Sequence, residues 1–372
     1  MKKIKMTYSI FFLTMLLVPL FMTVAGVKLS ASIDEHKPKV DRPVYDNNIF
    51  KYIKKFYNYY RNDYFARELA IYIYNSIVFD ITGDSPVPEK VLLGKDYFLF
   101  NSAKNDGNSI ADYQGYIELT NEQLESIYIW IHSFKEWLNA QGIMFYMVIP
   151  PDKHTIYYDK LPDTIKQVNK TTADQIVEYL VARNIPIIDL RPVLLKEKHN
   201  GHDVYFKTDT HWNKLGAYVG YKAILYELSK KFKGLEPVKL NINAINYTKP
   251  ESKGDLLRMM AIHHFPHYYD VVLHYPEYYN IEYPEGKEPL PKVIATRMHS
   301  NNLPRLLMYR DSFGTLLQPL LSNNFSEAYF LWDYIFLEKK IDTKMIKKIK
   351  PDVVIIEFVE RYLKYFNDIK ID

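Results

Sequence analysis

The sequence contains no cysteine. That excludes disulfides, a thiolate metal site and a cysteine nucleophile. It has no Walker A and no GxGxxG segment, so nucleotide binding has no motif behind it. HExxH is absent too. The one histidine-dense stretch, His263-His264-Phe265-Pro266-His267, spaces only His263 and His267 by four residues and puts Pro266 between them. That is a poor zinc frame, so neither a metal nor a cofactor is expected. Excess charge is scarce: the net charge is +4, the pI is about 8.7, and no dense Lys/Arg stripe occurs. This argues against nucleic acid as a partner.

Uncharged runs long enough to cross a bilayer are also scarce. One stands out, from about Tyr8 to Val27, behind Met-Lys-Lys-Ile-Lys. Some 20 apolar residues suffice for the hydrocarbon core, and the preceding lysines keep the N-terminus on the cytoplasmic side. The run is longer than a usual signal-peptide core, and the Ala25–Ala31 neighbourhood is an indifferent cleavage site. The segment is therefore read as a single-pass signal anchor with the rest of the chain extracytoplasmic; secretion after cleavage is the alternative.

What remains is rich enough to fold: 372 residues, 48% hydrophobic and 25% charged. There are 33 Tyr and 20 Phe. Aromatic faces suit sugar rings, although a general compositional bias would produce the same excess. Residues 1–30 form the anchor. Residues 31–90 are read as a polar linker (32–45) followed by a helical pattern from Asn47 to Phe79, and 91–372 as the main domain.

In that domain, uniformly apolar runs alternate with helical patterns. The runs are Ile143–Ile149, Ile185–Leu190, Pro304–Tyr309 and Asp352–Phe358. The helical patterns are Asn121–Gln141, Thr171–Arg183, Lys214–Lys231 and Gly314–Leu321. Strands that are apolar throughout are buried on both faces. The expected fold is α/β, a three-layer α/β/α sandwich on a parallel sheet, preceded by the transmembrane helix. Residues 240–300, dense in Tyr, His and Pro, read as an irregular insertion with some strand.

Ligands in such sheets sit beyond the carboxyl ends of the strands. After Pro304–Tyr309 comes Arg310-Asp311-Ser312-Phe313-Gly314 and then a helix. A Ser on that turn exposes its hydroxyl beside helix N–H groups, or else simply caps the helix. Asp209-Thr210-His211-Trp212 supplies a carboxylate and an imidazole two residues apart, which a loop can aim at one point; a capping Asp with a surface His is the bland alternative. Lys153 and Arg361 follow two further strands and are either rim contacts for a ligand or solvated charges.

Together these segments resemble the alginate O-acetyltransferase family of AlgJ and AlgX type, a branch of the SGNH-hydrolase superfamily. The resemblance runs from about Arg61 to Tyr362. It includes Asp63-Tyr64-Phe65-Ala66-Arg67, the VLLGKDYFLF segment Val91–Phe100, the VIPPDKHTIY segment Val148–Tyr157, the Asp209–Trp212 block, the Arg310–Phe313 block and the VERYL segment Val359–Leu363. Asp and His precede Ser, the reverse of ordinary SGNH esterases. Tyr97-Phe98 stand where the family has Gly-Trp, Asp152 is inserted before Lys153, Val359 stands where Pro is common, and no Gly-x-Asn-Asp block is present.

The resemblance implies Ser312 as nucleophile, His211 as base and Asp209 as orienting acid, with Arg361, Lys153 and Trp212 contacting substrate. It implies SGNH-hydrolase-like acetyl transfer to a polysaccharide acceptor, and a polytopic membrane O-acyltransferase as donor of the acetyl group. A carbohydrate acetylesterase with the same triad and a non-catalytic glycan-biosynthesis scaffold are the competing readings. For the oxyanion the expectation is the Ser312 backbone N–H plus one unassigned group.

Overall fold

The computed structural model describes residues 2–27, 29, 40–240, 245–250, 253–284, 293–298, 302–332, 335 and 340–371. Most of the expected linker, and the Ser30–Ala31 end of the cleavage neighbourhood, lie outside these residues. The chain divides into two compact units, one of Met1–Pro88 with Leu257–Pro266, the other of Glu89–Leu256 with His267–Asp372. The units meet along the chain at Pro88–Glu89, and Leu257–Pro266 belongs to the N-terminal unit.

In the N-terminal unit, Lys2–Val24 is one helix containing Pro19. Its stretch Met6–Val24 is long and apolar enough to cross a membrane. The helical pattern read across Asn47–Phe79 is two helices, Ile49–Asp63 and Arg67–Thr82. Asn48 caps the first by accepting the Lys51 N–H at 3.0 Å. The break falls at Ala66, whose φ of +58° no continuous helix accommodates.

The larger unit is built on a seven-stranded sheet. In chain order its strands are β1 (Met144–Ile149), β2 (Ile187–Asp189), β3 (Tyr279–Glu282), β4 (Val293–Met298), β5 (Arg305–Arg310), β6 (Glu327–Trp332) and β7 (Val353–Glu357). They lie side by side as β2-β1-β7-β5-β6-β4-β3. The five from β2 to β6 pair in parallel, while β4 runs antiparallel to both β6 and β3. The sheet is therefore mixed at one edge, and that edge comes from the 240–300 segment. The supposed irregular insertion extends the main sheet, and β6 is a strand that the sequence reading had not named.

Strand residues alternate between two cores, as a period of two demands. Leu306, Met308, Val353 and Ile355 face helices Arg191–His199, Lys214–Ser229 and Gly314–Leu321. Leu307, Tyr309, Val354 and Ile356 face Asn121–Ala140, Thr172–Val181 and Thr343–Ile349. This is the α/β/α sandwich, and both faces of the central strands are apolar for that reason. Capping boxes at Thr120–Gln123 and Thr171–Asp174 start two of these helices where polar residues give way to the apolar stripe.

Before the sheet, Val91–Leu93 pairs with Leu99–Asn101 as a short hairpin. Tyr97 in its turn has φ +61°. Glycine adopts such a backbone freely; here a tyrosine is held in it.

Candidate active site

Parallel β5, β7 and β1 all end at one edge, and the residues that follow them meet there. Just past β5, Ser312 sits on the turn into helix Gly314–Leu321. Asp311 holds that turn: its Oδ1 accepts the Phe313 N–H at 2.8 Å and its Oδ2 the Val359 N–H at 2.8 Å. A proline at 359 would have no N–H to give, so this tie depends on a residue other than proline there. Burial pushes the Asp311 carboxyl up to about 6 against the pull of these two donors. Gly314 is required by space: a Cβ there would lie 2.6 Å from Arg310 Cδ and 2.8 Å from Glu357 Oε2.

The loop before helix Lys214–Ser229 delivers the imidazole. Asn213 caps this helix by accepting from the Leu215 and Gly216 N–H groups, at 2.9 and 3.0 Å. Trp212 is wholly buried and donates its Nε1–H to the Phe313 carbonyl at 3.1 Å. That bond ties the histidine loop to the serine turn. His211 Nε2 lies 2.8 Å from Ser312 Oγ, and His211 Nδ1 lies 2.7 Å from Asp209 Oδ1. Asp209 Oδ1 also accepts the His211 backbone N–H at 3.0 Å.

One member of the cluster escaped the sequence reading. Asp255, 46 residues beyond Asp209, donates its backbone N–H to Asp209 Oδ2 at 2.9 Å. Its own Oδ1 accepts the Thr210 N–H at 2.7 Å. Its Oδ2 stands 3.8 Å from His211 Nδ1. Gly254 lets the chain come this close, since a Cβ there would lie 2.3 Å from the Thr208 carbonyl oxygen. A faint signal existed in Gly254-Asp255, but nothing in the sequence tied it to residue 209.

The electrostatics follow from this crowding. Burial raises the Asp209 carboxyl, but the hydrogen bond and charge of His211 and the two backbone N–H groups outweigh it and hold it well below the usual range. Burial and then the Asp209 charge raise Asp255. For His211, burial and the Arg361 charge pull downward, while Asp209 and Asp255 pull upward and prevail. The imidazole must be neutral to accept a proton, so activity is expected to fall as pH drops through a value above the ordinary 6.5. Asp255→Asn keeps an acceptor for Thr210 but removes one negative charge beside the ring. The acid limb of kcat/KM should then move to lower pH. A limb unchanged between the two proteins would show that Asp255 does not act on His211.

The three expected substrate contacts stand elsewhere. Lys153 is buried and donates to the Leu99 and Lys207 carbonyls, at 2.5 and 3.2 Å; burial brings its ammonium down to about 7. Arg361 is 3% exposed, donates through Nη1 to Asp152 and keeps Nε 3.6 Å from Asp106. Trp212 is the strut already described. The cations are drawn inward because carbonyls and carboxylates await them there, so all three residues are framework rather than rim. The extra Asp152 is the partner that Arg361 uses.

Ser312 opens instead on a cavity of about 350 Å³, bordered by Asn105, Gly107, Trp332, Tyr362 and Tyr365 among others. Of these five, only Tyr362 falls in a segment quoted from the sequence, VERYL, and none was given a role there.

Three groups of His and carboxylate bring ligating atoms within 4.8 Å of one another among the described residues. In the Asp209–His211–Asp255 group, both ring nitrogens of His211 are engaged, by Asp209 and Ser312. In the Asp152–His154–Glu360 group, Arg361 already takes Asp152. The exposed Asp80–His263–His264 group does not use the i, i+4 pair considered above, and His267 belongs to the other unit.

A Ser-His-Asp arrangement at the carboxyl edge of an α/β/α sandwich is a hydrolase-type site that several fold families share. The family model described as "SGNH hydrolase-like domain, acetyltransferase AlgX" matches residues 91–284, just over half of the chain, and the chain belongs to that family. Probable alginate O-acetylase AlgJ of Pseudomonas fluorescens is 26% identical over 305 residues, covering 75% of this chain and 70% of that protein. Its namesake from Pseudomonas aeruginosa is 24% identical over 306 residues, covering 74% of each. Among solved structures, Bacillus cereus PatB1 with a sulfonyl adduct matches with a TM-score of 0.53 at 19% identity, over 75% of this chain and 97% of that one. At that identity the likeness speaks for the fold.

Proposed function

We propose that this chain is an extracytoplasmic O-acetyltransferase that moves acetyl groups, through an acetyl-Ser312 intermediate, onto hydroxyls of an exported or cell-envelope polysaccharide. The observation that carries this reading is the relay Ser312 Oγ–His211 Nε2–Asp209, at 2.8 and 2.7 Å. Relatives named alginate O-acetylase supply the acceptor class.

The steps follow from the geometry. His211 Nε2 takes the Ser312 proton as Oγ bonds to the acyl carbon of the donor. Asp209 holds the Nδ1 proton in place and stabilises the imidazolium. The donor's leaving group departs with the proton from Nε2, and acetyl-Ser312 remains. A sugar hydroxyl then bonds to the same carbon and gives its proton to Nε2, and Ser312 Oγ leaves and recovers that proton. The oxyanion of each tetrahedral state falls to the Ser312 N–H together with the 105–107 loop, which borders the same cavity.

Helix Lys2–Val24 would anchor the chain with the catalytic unit outside. An acetyl donor must then reach the outer side, the role assigned here to a polytopic membrane O-acyltransferase. Transfer and hydrolysis differ only in the second acceptor. Adding an acceptor glycan should speed donor turnover and carry the acetyl away as a glycan ester. Turnover indifferent to any glycan, with free acetate as the product, would make the protein an esterase.

A further inference from the structure

A larger cavity, about 550 Å³, lies in the same unit and shares no bordering residue with the Ser312 cavity. Lys207 borders the larger cavity two residues before Asp209, and Thr208 Oγ1 donates to the Tyr268 hydroxyl at 2.8 Å. Phe98 lies inside, stacked on Tyr157 at 4.9 Å. Tyr247 and Tyr269 stand at its border, 45% and 57% exposed. Such rings offer an apolar face to C–H groups and a hydroxyl to polar ones.

The charges in the cavity are unevenly spoken for. Lys160 is paired with Asp96, and Lys198 with Asp159. Lys207 stands 5.4 Å from the Phe98 ring centre and has no carboxylate within salt-bridge distance among the described residues. Partial burial lowers its pKa, against the upward pull of the Asp96 and Asp203 charges, neither of which is close enough to form an ion pair with it. Two carboxyl groups, Asp203 and Asp270, share the lining; burial and the Asp209 charge push Asp270 up to about 6, so it is still mainly ionised at neutral pH and serves as an acceptor for sugar hydroxyls.

We infer that this cavity is a glycan subsite, separate from the Ser312 cavity, that takes a sugar bearing a carboxylate or phosphate: the ring packs on Tyr247 or Tyr269, hydroxyls bond Asp270, and the anion pairs with Lys207. This rests on the polysaccharide reading above. Its function would be to hold the acceptor chain by the catalytic loop while another of its sugars is acetylated.

The test is binding of defined sugars to the full chain in detergent, by calorimetry. The probes are an acidic hexauronate, a phosphorylated hexose and a neutral hexaglucan. At least one anionic probe should bind about tenfold more tightly than the neutral one, the scale of one charged contact in a partly buried site. Which anion binds distinguishes carboxylate from phosphate. Lys207→Met should erase that difference, and Tyr247→Ala combined with Tyr269→Ala should weaken all binding, both with an unchanged melting temperature. Ser312→Ala should bind as wild type does. Equal affinity for charged and neutral sugars, or no binding by the folded protein, overturns the subsite. Acetylation of Ser312 without glycan binding would sink the subsite alone; glycan binding without acetylation would sink the transfer reading and leave the subsite.

Discussion

Replacing His211 by alanine should slow acetyl transfer from an activated ester by on the order of 10⁵–10⁶-fold, the loss that follows when the base of a Ser-His-Asp relay is removed. The serine hydroxyl is a weak nucleophile without a base, and the imidazole 2.8 Å away is the group placed to take its proton. Among the described residues, no other titratable side chain is hydrogen-bonded to Ser312 Oγ. The fold should survive, because Asp209 keeps two backbone donors, the N–H groups of residue 211 and of Asp255. Transfer rate and circular dichroism would be measured together. A folded variant with less than a tenfold loss would remove His211 from the mechanism.

Arg361→Ala should cost about 3–5 kcal/mol of stability, because it strips a buried charge pair of one partner. Its guanidinium lies between Asp152 and Asp106. Glu360 next to it is already pushed up to about 8, by burial and then the Asp152 charge. Without Arg361, the buried Asp152 loses its counter-charge beside the buried Glu360. Arg361→Lys should recover only part of the loss, since a lysine ammonium cannot reach two carboxylates as the fork does. All four tryptophans, at 130, 137, 212 and 332, lie in the larger unit, so denaturant unfolding followed by fluorescence reports the affected region. A loss below 1 kcal/mol, accompanied by failure to bind glycan, would return Arg361 to the substrate-contacting role first expected of it.

That reversal shows where the sequence was legible. The runs before Ser312 and Arg361 are apolar because β5 and β7 are covered on both faces, and such strands read as strands without any partner in view. The spacing of Asp209 and His211 also carries its own geometry, since two residues on one loop reach the same point. Arg361 and Lys153 were located at the right strand ends but given the wrong surroundings. What buries them lies far along the chain: Asp106 and Asp152 for one, the Leu99 and Lys207 carbonyls for the other. Backbone acceptors leave no trace in side-chain identity. Asp255 was invisible for the same reason, because its contact with Asp209 runs through its own N–H. At β4, one strand in from the edge, the VIATRM pattern is too mixed to separate from loop.

The most direct test of the mechanism is intact mass measurement of the full chain in detergent after exposure to an activated acetyl ester, for wild type and Ser312→Ala. The mechanism predicts one acetyl group on the wild type, mapped to Ser312, and none on the variant. Equal labelling of both proteins, or no label on a folded wild type, would contradict it.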